Sequence, residues 1–427
     1  MRPPRAVIVG AGQAGFQAAC SLRQLEFPGE VVLLSDEAEP PYARPPLSKE
    51  LLKDGATADT VGFRPAAFYP DKDIELACGD PVVSIDRNAR RVRLASGTAV
   101  GYDRLVIASG SRPRALPVPG SELDGVVSLR TVSDAVQLRA RLETGRALVV
   151  IGGGFIGLEV AATACERALE VTVLEVLERT MARVVSPVIS DHVAGVHRGW
   201  GVDVRHRARA ARFLAGAGRA VAGVELEDGS VVPADIVLVG VGVVPNIELA
   251  RDAGLETGDG ILVDEHLRTR DPSVWAIGDC AAFPWRGQAR RRLESVQNAA
   301  DQARTAAAGI AGDPRPYRAV PWFWSYQNTC KLQIAGLIGS CDTTVLRADP
   351  ISGSFSVFAF AGERLLGVES VNRPADHLAA RKLLDAEAPL DPARAADPEF
   401  DLAGYAARQA RPQAGALVSA PGAGVAG

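Results

Sequence analysis

One pattern occurs twice in this chain and limits what it can become: a short run of aliphatic residues, a glycine-rich turn, and an apolar helix. The first copy passes from Ala6-Val7-Ile8-Val9 into Gly10-Ala11-Gly12-Gln13-Ala14-Gly15. The second passes from Ala147-Leu148-Val149-Val150-Ile151 into Gly152-Gly153-Gly154-Phe155-Ile156-Gly157. Apolar runs of this kind suit strands covered on both faces of a parallel sheet. In such a turn the first glycine allows the bend, the second lets backbone approach a pyrophosphate, and the third lets helix pack on strand. Two turns imply two dinucleotides. Gly10, Gly12, Ala14 and Gly15 are expected to hold one, and Gly152, Gly154, Ile156 and Gly157 the other.

Each turn should be followed, about twenty residues on, by a group for the adenosine ribose. In the second copy the strand Val171-Thr172-Val173-Leu174 ends in Glu175, which can accept both ribose hydroxyls and would repel a 2′-phosphate; otherwise Glu175 simply ends a strand at the surface. NADH is therefore expected over NADPH. In the first copy Val31-Val32-Leu33-Leu34 ends in Ser35, with Asp36 next, so the contact falls on Ser35 or Asp36.

The chain has 427 residues, enough for two or three domains, and its 43 glycines suit an α/β protein with many strand-to-helix turns. A net charge of −4 gives no overall basic field for nucleic acid or an anionic membrane. No apolar stretch is long enough to span a bilayer. The apolar run after Arg5 is broken at once by the glycine turn, so it reads as a strand rather than a signal peptide, and a cytoplasmic location is expected. The cysteines, at 20, 78, 165, 280, 330 and 341, form no CxxC and no zinc spacing with histidine. No metal site is expected.

Between the first helix and residue 80 lies Pro40-Pro41-Tyr42-Ala43-Arg44-Pro45-Pro46-Leu47-Ser48-Lys49. The prolines stiffen it, Ser48 is expected to cap a short helix from Lys49, and the loop presents Arg44 and Lys49 to a pyrophosphate and a polar ring edge, or else is a solvated turn. Short strands over 74–108 suggest a meander. A hairpin is expected from 222–227 and 231–236 around Asp228-Gly229. Further buried strands end in Gly240-Val241-Gly242 and in Gly278-Asp279. Asp279, at the carboxyl edge of a parallel sheet, is placed to hold a polyhydroxyl chain. A helix is expected over 294–303; a helix N-terminus aimed at a flavin would stabilise negative charge on its reduced ring. From Pro321-Trp322-Phe323-Trp324 onward the aromatics cluster and β-type alternation returns.

Both turns, Gly278-Asp279-Cys280-Ala281, Pro45-Pro46-Leu47-Ser48-Lys49 and the tryptophan motif together resemble the FAD-dependent ferredoxin reductases of the glutathione-reductase superfamily, of the putidaredoxin, rhodocoxin and biphenyl-dioxygenase reductase type. The resemblance runs from about residue 5 to 410. It implies an α/β protein with two Rossmann-like dinucleotide-binding domains, for FAD (1–112 and 241–320) and NAD (113–240), plus a C-terminal α+β domain (321–410) and a disordered tail (411–427). It carries over Lys49 beside the flavin ring, Arg44 and Arg130 near the FAD phosphates, Val82 at adenine, Asp279 on the ribityl chain, and the Val296 backbone on the ring. Glu159 and Glu175 fall on the nicotinamide nucleotide, Trp322 at the dimethylbenzene edge, and Gly242 is expected among the cofactor-binding residues. Lys49, Glu159 and Trp322 form the expected catalytic set.

Two departures from the family pattern stand out: Tyr326 follows Ser325 where many relatives have Asp, and Glu178 precedes Arg179 where many have Pro. Disulfide-reducing cousins need a redox cysteine near the flavin, and the stretch 42–49 has none. The expected activity is therefore hydride transfer from NADH to FAD, then single electrons to a small acidic [2Fe-2S] ferredoxin feeding a cytochrome P450 or ring-hydroxylating dioxygenase. Arg290, Arg291, Arg292, Arg286 and Lys331 are candidates for the docking patch, on a monomer or weak dimer. A rubredoxin or oxygen as acceptor, or a redox-sensing flavoprotein resembling apoptosis-inducing factor, are the alternatives.

Overall fold

Parallel pairing of the predicted apolar runs organises the molecule. The computed structural model describes residues 2–53, 56–286 and 289–409, which divide into two compact units, Met1–Leu332 and Gln333–Gly427. The expected disordered tail, 411–427, lies outside the described residues.

In the first unit, Arg5–Val9 sits mid-sheet in the order Val274–Ala276, Arg104–Ile107, Arg5–Val9, Glu30–Leu34, Ile74–Ala77, every pair parallel. Ala6, Val7, Ile8, Leu33, Leu105, Val106 and Ile107 are sealed from solvent. Each large aliphatic buried there stabilises the sheet by about 1.5–3 kcal/mol. A second parallel sheet repeats the plan in the order Asp203–His206, Glu170–Glu175, Ala147–Ile151, Ile236–Val239, Val126–Val127. The helices Gln13–Gln24 and Phe155–Glu166 leave directly from the two glycine turns. Where the chain passes out of the first sheet and back, Ser111–Pro113 and Val243–Pro245 pair antiparallel. The α/β class with two Rossmann-like folds is as expected.

Two local expectations are corrected. The hairpin strand does not run through 236: Val231–Pro233 pairs with Val221–Leu226, and then Ile236–Val239 joins the parallel sheet. Pro233 lacks the N–H that would extend the ladder. Asp235 turns the chain, its carboxylate accepting from the N–H groups of Arg146 and Ala147 at 2.8 and 3.0 Å. Nor does Ser48 cap a helix: Pro45–Ser48 and Glu50–Leu52 are separate 3-10 turns, and the Ser48 hydroxyl serves Glu159 instead.

The second unit carries the antiparallel strands Thr343–Arg347, Phe355–Ala361 and Arg364–Val371, with the helix Pro374–Ala386 on the last of them. Phe355, Phe358 and Phe360 fill its core. Among the described residues no helix is long and apolar enough to cross a membrane.

Candidate functional site

The two turns are built alike. Gly10 and Gly152 adopt φ of +101° and +102°, and a Cβ on either would lie 2.3 and 2.5 Å from the carbonyl oxygens of Ala108 and Gly240. A Cβ on Gly15 or Gly157 would meet the carbonyl oxygen of Gly10 or Gly152 at 1.8 or 2.4 Å. Internal packing therefore demands the first and third glycines. It makes no such demand on Gly12 and Gly154, whose Cβ directions meet nothing within 4 Å. Open space at the N-terminus of a helix, with no protein atom to fill it, fits a phosphate drawn close to the backbone.

Around the first turn Ala11, Gly12, Ser35, Glu37, Tyr42 and Arg44 line a recess. Its acid is Glu37. Asp36 is exposed and does not line the recess, while Ser35 is buried and accepts from the Glu37 N–H at 3.2 Å. Glu37 is paired with the Arg44 guanidinium at 2.5 Å and accepts from the Tyr42 hydroxyl. Burial pushes the Tyr42 hydroxyl well above its ordinary range, so it stays a donor. Arg44 also donates to the Arg130 carbonyl, and Arg130 reaches Asp279 at 3.2 Å, where the Ser111 hydroxyl donates at 2.8 Å. Arg130 Nε is buried and has no partner among the described residues, an unmet donor beside the expected phosphate position. Val82 is half-buried on the edge of the same core and does not line the recess.

At the second turn Glu175 is 8% exposed and accepts from the N–H of Gly153 at 2.8 Å and of Leu177 at 2.9 Å. Ile156 is exposed on the first turn of the helix, and Gly242, with φ +96°, lies beside the Arg183 guanidinium.

Between the turns sits an ion pair. Glu159, on the helix from the second turn, is 4% exposed and accepts from Lys49 Nζ at 2.7 Å. It also accepts from the hydroxyls of Ser48 and, at 2.7 Å, Ser325. Three donors to one buried carboxylate offset its desolvation, and removing one partner of a buried pair costs about 3–5 kcal/mol. Sequence reading found Lys49 and Glu159 but not Ser325, which lies 166 residues from Glu159.

Val296 opens the helix Val296–Ile310, capped by the Ser295 hydroxyl, which accepts from Asn298 N–H at 3.1 Å. Gln297 on that helix accepts from the Trp322 N–H at 3.1 Å, which ties the tryptophan strand Trp322–Gln327 to it. Trp322 is half-buried, its ring 5.3 Å from that of Trp324. The arginine run is less available than its sequence suggests. Arg292 is 10% exposed at its side chain and spends its charge on Asp259 and Glu294, and Arg290 donates to the Val263 carbonyl. Lys331 lies 5.8 Å from the ring centre of Tyr326.

The cysteines are all unpaired thiols. Burial pushes Cys20 and Cys330 up to about 11 and raises Cys78, Cys165 and Cys280 as well. The thiolate is the nucleophile, so these five are poorly suited to disulfide chemistry.

Residues 4–303 match the model of the pyridine nucleotide-disulphide oxidoreductases, and residues 322–406 that of the reductase C-terminal domain. Rhodocoxin reductase of Rhodococcus erythropolis is 53% identical over 397 residues, 93% of each chain. A solved ferredoxin reductase from Rhodopseudomonas palustris superposes with a TM-score of 0.93 at 49% identity, covering 94% of this chain and all of that one. The covalent putidaredoxin reductase–putidaredoxin complex gives 0.92 at 38% identity, covering 96% and 99%. Its cofactors being FAD and NADH, the chain is an oxidoreductase that belongs to the pyridine nucleotide-disulphide oxidoreductase family.

Proposed function

We propose that FAD occupies the first turn and NADH the second, and that the protein moves electrons from NADH to a small [2Fe-2S] ferredoxin serving an oxygenase. The observation that carries this reading is the Lys49–Glu159 pair, which joins the proline-rich loop following the first turn to the helix leaving the second. FAD, when bound, accepts a hydride and releases electrons singly. The side chains bind and orient. Gly10, Gly12, Ala14, Gly15 and the unmet Arg130 Nε take the FAD phosphates, with Arg44 behind them, Asp279 on the ribityl chain, and Val82 at adenine. Gly152, Gly154, Ile156, Gly157 and Gly242 take the second nucleotide. Glu175, already fixed by two N–H groups, accepts its ribose hydroxyls and repels a 2′-phosphate. Lys49 and Glu159 meet the nicotinamide and the flavin ring. Trp322 and the Val296 backbone border the flavin.

The body for FAD comprises 1–112 and 241–320, that for NADH 113–240, and the C-terminal domain 321–410. Unpaired thiols suit a reducing cytoplasm. The ferredoxin acceptor rests on what the relatives are named for, and it suits thiols too basic to act. Docking is placed at Arg290, Arg291 and Lys331, with Arg292 a lesser contributor because its charge is already paired. Reversing Arg290 and Arg291 to Glu raises the KM for an acidic ferredoxin at least tenfold while NADH–ferricyanide activity stays unchanged, about the effect of losing two rim contacts. Stopped-flow mixing of NADH-reduced protein with ferredoxins, a rubredoxin and oxygen tests the acceptor. Reoxidation by oxygen as fast as by any carrier would replace the reading with an oxidase.

A further inference from the structure

From Glu159 a line of buried polar side chains runs away from Lys49. Ser325 Oγ lies 2.7 Å from Glu159 Oε1, Gln327 Nε2 3.1 Å from Ser325 Oγ, and His197 Nε2 2.8 Å from Gln327 Oε1. Ser325 and His197 are fully buried and Gln327 is 1% exposed. They come from two elements, the strand Trp322–Gln327 and the helix Pro187–Gly199, and meet Glu159 on a third.

The carboxylate fixes the sense of the whole line. An ionised Glu159 only accepts, so the single Ser325 proton must go to it. Ser325 Oγ then accepts, so Gln327 must offer its amide N–H there and turn its carbonyl to His197. A carbonyl only accepts, so the His197 proton is on Nε2. Its Nδ1 is buried and meets no partner among the described residues, so a proton there would be a donor with nothing to receive it. Burial lowers the His197 pKa in the same sense, and the Trp200 ring packs edge-on at 5.0 Å. Apolar side chains would fill this space without three buried polar groups to satisfy.

We propose that Gln327 and His197 are positioning residues for electron entry from NADH: acting through Ser325, they pin one oxygen of Glu159 so that the other stays on Lys49. This rests on the reading of Lys49–Glu159 as the pair beside the reacting rings.

The test reads the line itself as well as the activity. Nitrogen-15 NMR of the histidine-labelled holoenzyme, with His197 assigned by its loss in His197→Gln, is expected to show Nε2–H in the wild type. Nδ1–H there overturns the proposal. In stopped-flow, Gln327→Leu slows flavin reduction by NADH about tenfold, the weight of one hydrogen bond to a charged network. Ferredoxin reduction by dithionite-reduced protein is unchanged. His197→Leu slows NADH reduction as well, and His197→Gln, which keeps an amide donor, restores it. Wild-type reduction rates in Gln327→Leu and His197→Leu also overturn the positioning role. Nε2–H in the wild type together with normal NADH reduction in Glu159→Gln removes instead the reading of the Lys49–Glu159 pair on which the proposal stands.

Discussion

The two glycine turns share a backbone and differ in how the acid beyond each is held. At the first, Glu37 is matched by Arg44 and the Tyr42 hydroxyl, so its charge is neutralised within the protein. At the second, Glu175 is held by two backbone N–H groups and has no ion-pair partner among the described residues, which leaves its negative charge unmatched beside the proposed ribose position. The same loop chemistry thus yields one acid whose charge is matched, suited to a nucleotide that stays, and one left unmatched, suited to a nucleotide selected against a phosphate and then released.

The harshest way to separate the two is Gly15→Ala against Gly157→Ala. Either Cβ must enter a carbonyl oxygen, an overpacking cost on the order of 3 kcal/mol. Gly15→Ala is expected to purify without its flavin absorbance, whereas Gly157→Ala keeps the flavin and loses reduction by NADH. A smaller effect follows from the acids. Glu175→Ala should weaken NADH binding about tenfold, as loss of a charged hydrogen bond does, and narrow the preference over NADPH, both read by titration of the flavin spectrum. Glu37→Gln should leave nucleotide preference unchanged, and a shift there would break the comparison.

Titration distinguishes more gently the two proposed bodies, the first for FAD (1–112 and 241–320) and the second for NADH (113–240). Tyr42, Tyr69, Tyr102 and Tyr317 belong to the first body, and burial raises them all, Tyr102 to about 12. Above about pH 10 the unfolded tyrosines ionise while the folded ones keep their protons, so the first body loses stability as pH rises. The second body holds no tyrosine; burial lowers its histidines, His192, His197 and His206. Below about pH 6.5 the unfolded histidines take up protons that the folded ones refuse, so the second body loses stability as pH falls, His197 contributing at most about 1.4 kcal/mol per pH unit. Pulse proteolysis, with fragments assigned by mass, should show the second body yielding first in acid and the first body first in alkali. The reverse order would contradict the assignment.

Much of this could be read in the chain because it is local. A glycine turn is written in six consecutive residues, and Glu175 follows its turn at a spacing set by one helix and one strand. Lys49 and Glu159 came through the resemblance, since nothing in their spacing brings residues 110 apart together. What stayed hidden depends on tertiary proximity. Ser48 looked like a helix cap until Glu159 offered a charged acceptor. Glu37 replaces Asp36 at the recess because that loop bends after Ser35, and Arg44 and Tyr42 meet the second acid rather than the first. Ser325, Gln327 and His197 carry no motif, and only the packing of the tryptophan strand against two helices brings them into line. The arginine run read as a patch, yet Arg292 had acidic partners 33 residues before and 2 after it.

The most direct measurement is the pair Gly12→Ala and Gly154→Ala, because nothing inside the protein meets either Cβ. The account predicts unfolding midpoints of the stripped proteins equal to the wild type, with Gly12→Ala losing affinity for FAD alone and Gly154→Ala losing affinity for NADH alone while its flavin content stays full. Destabilised stripped proteins, or FAD lost from Gly154→Ala, would contradict it.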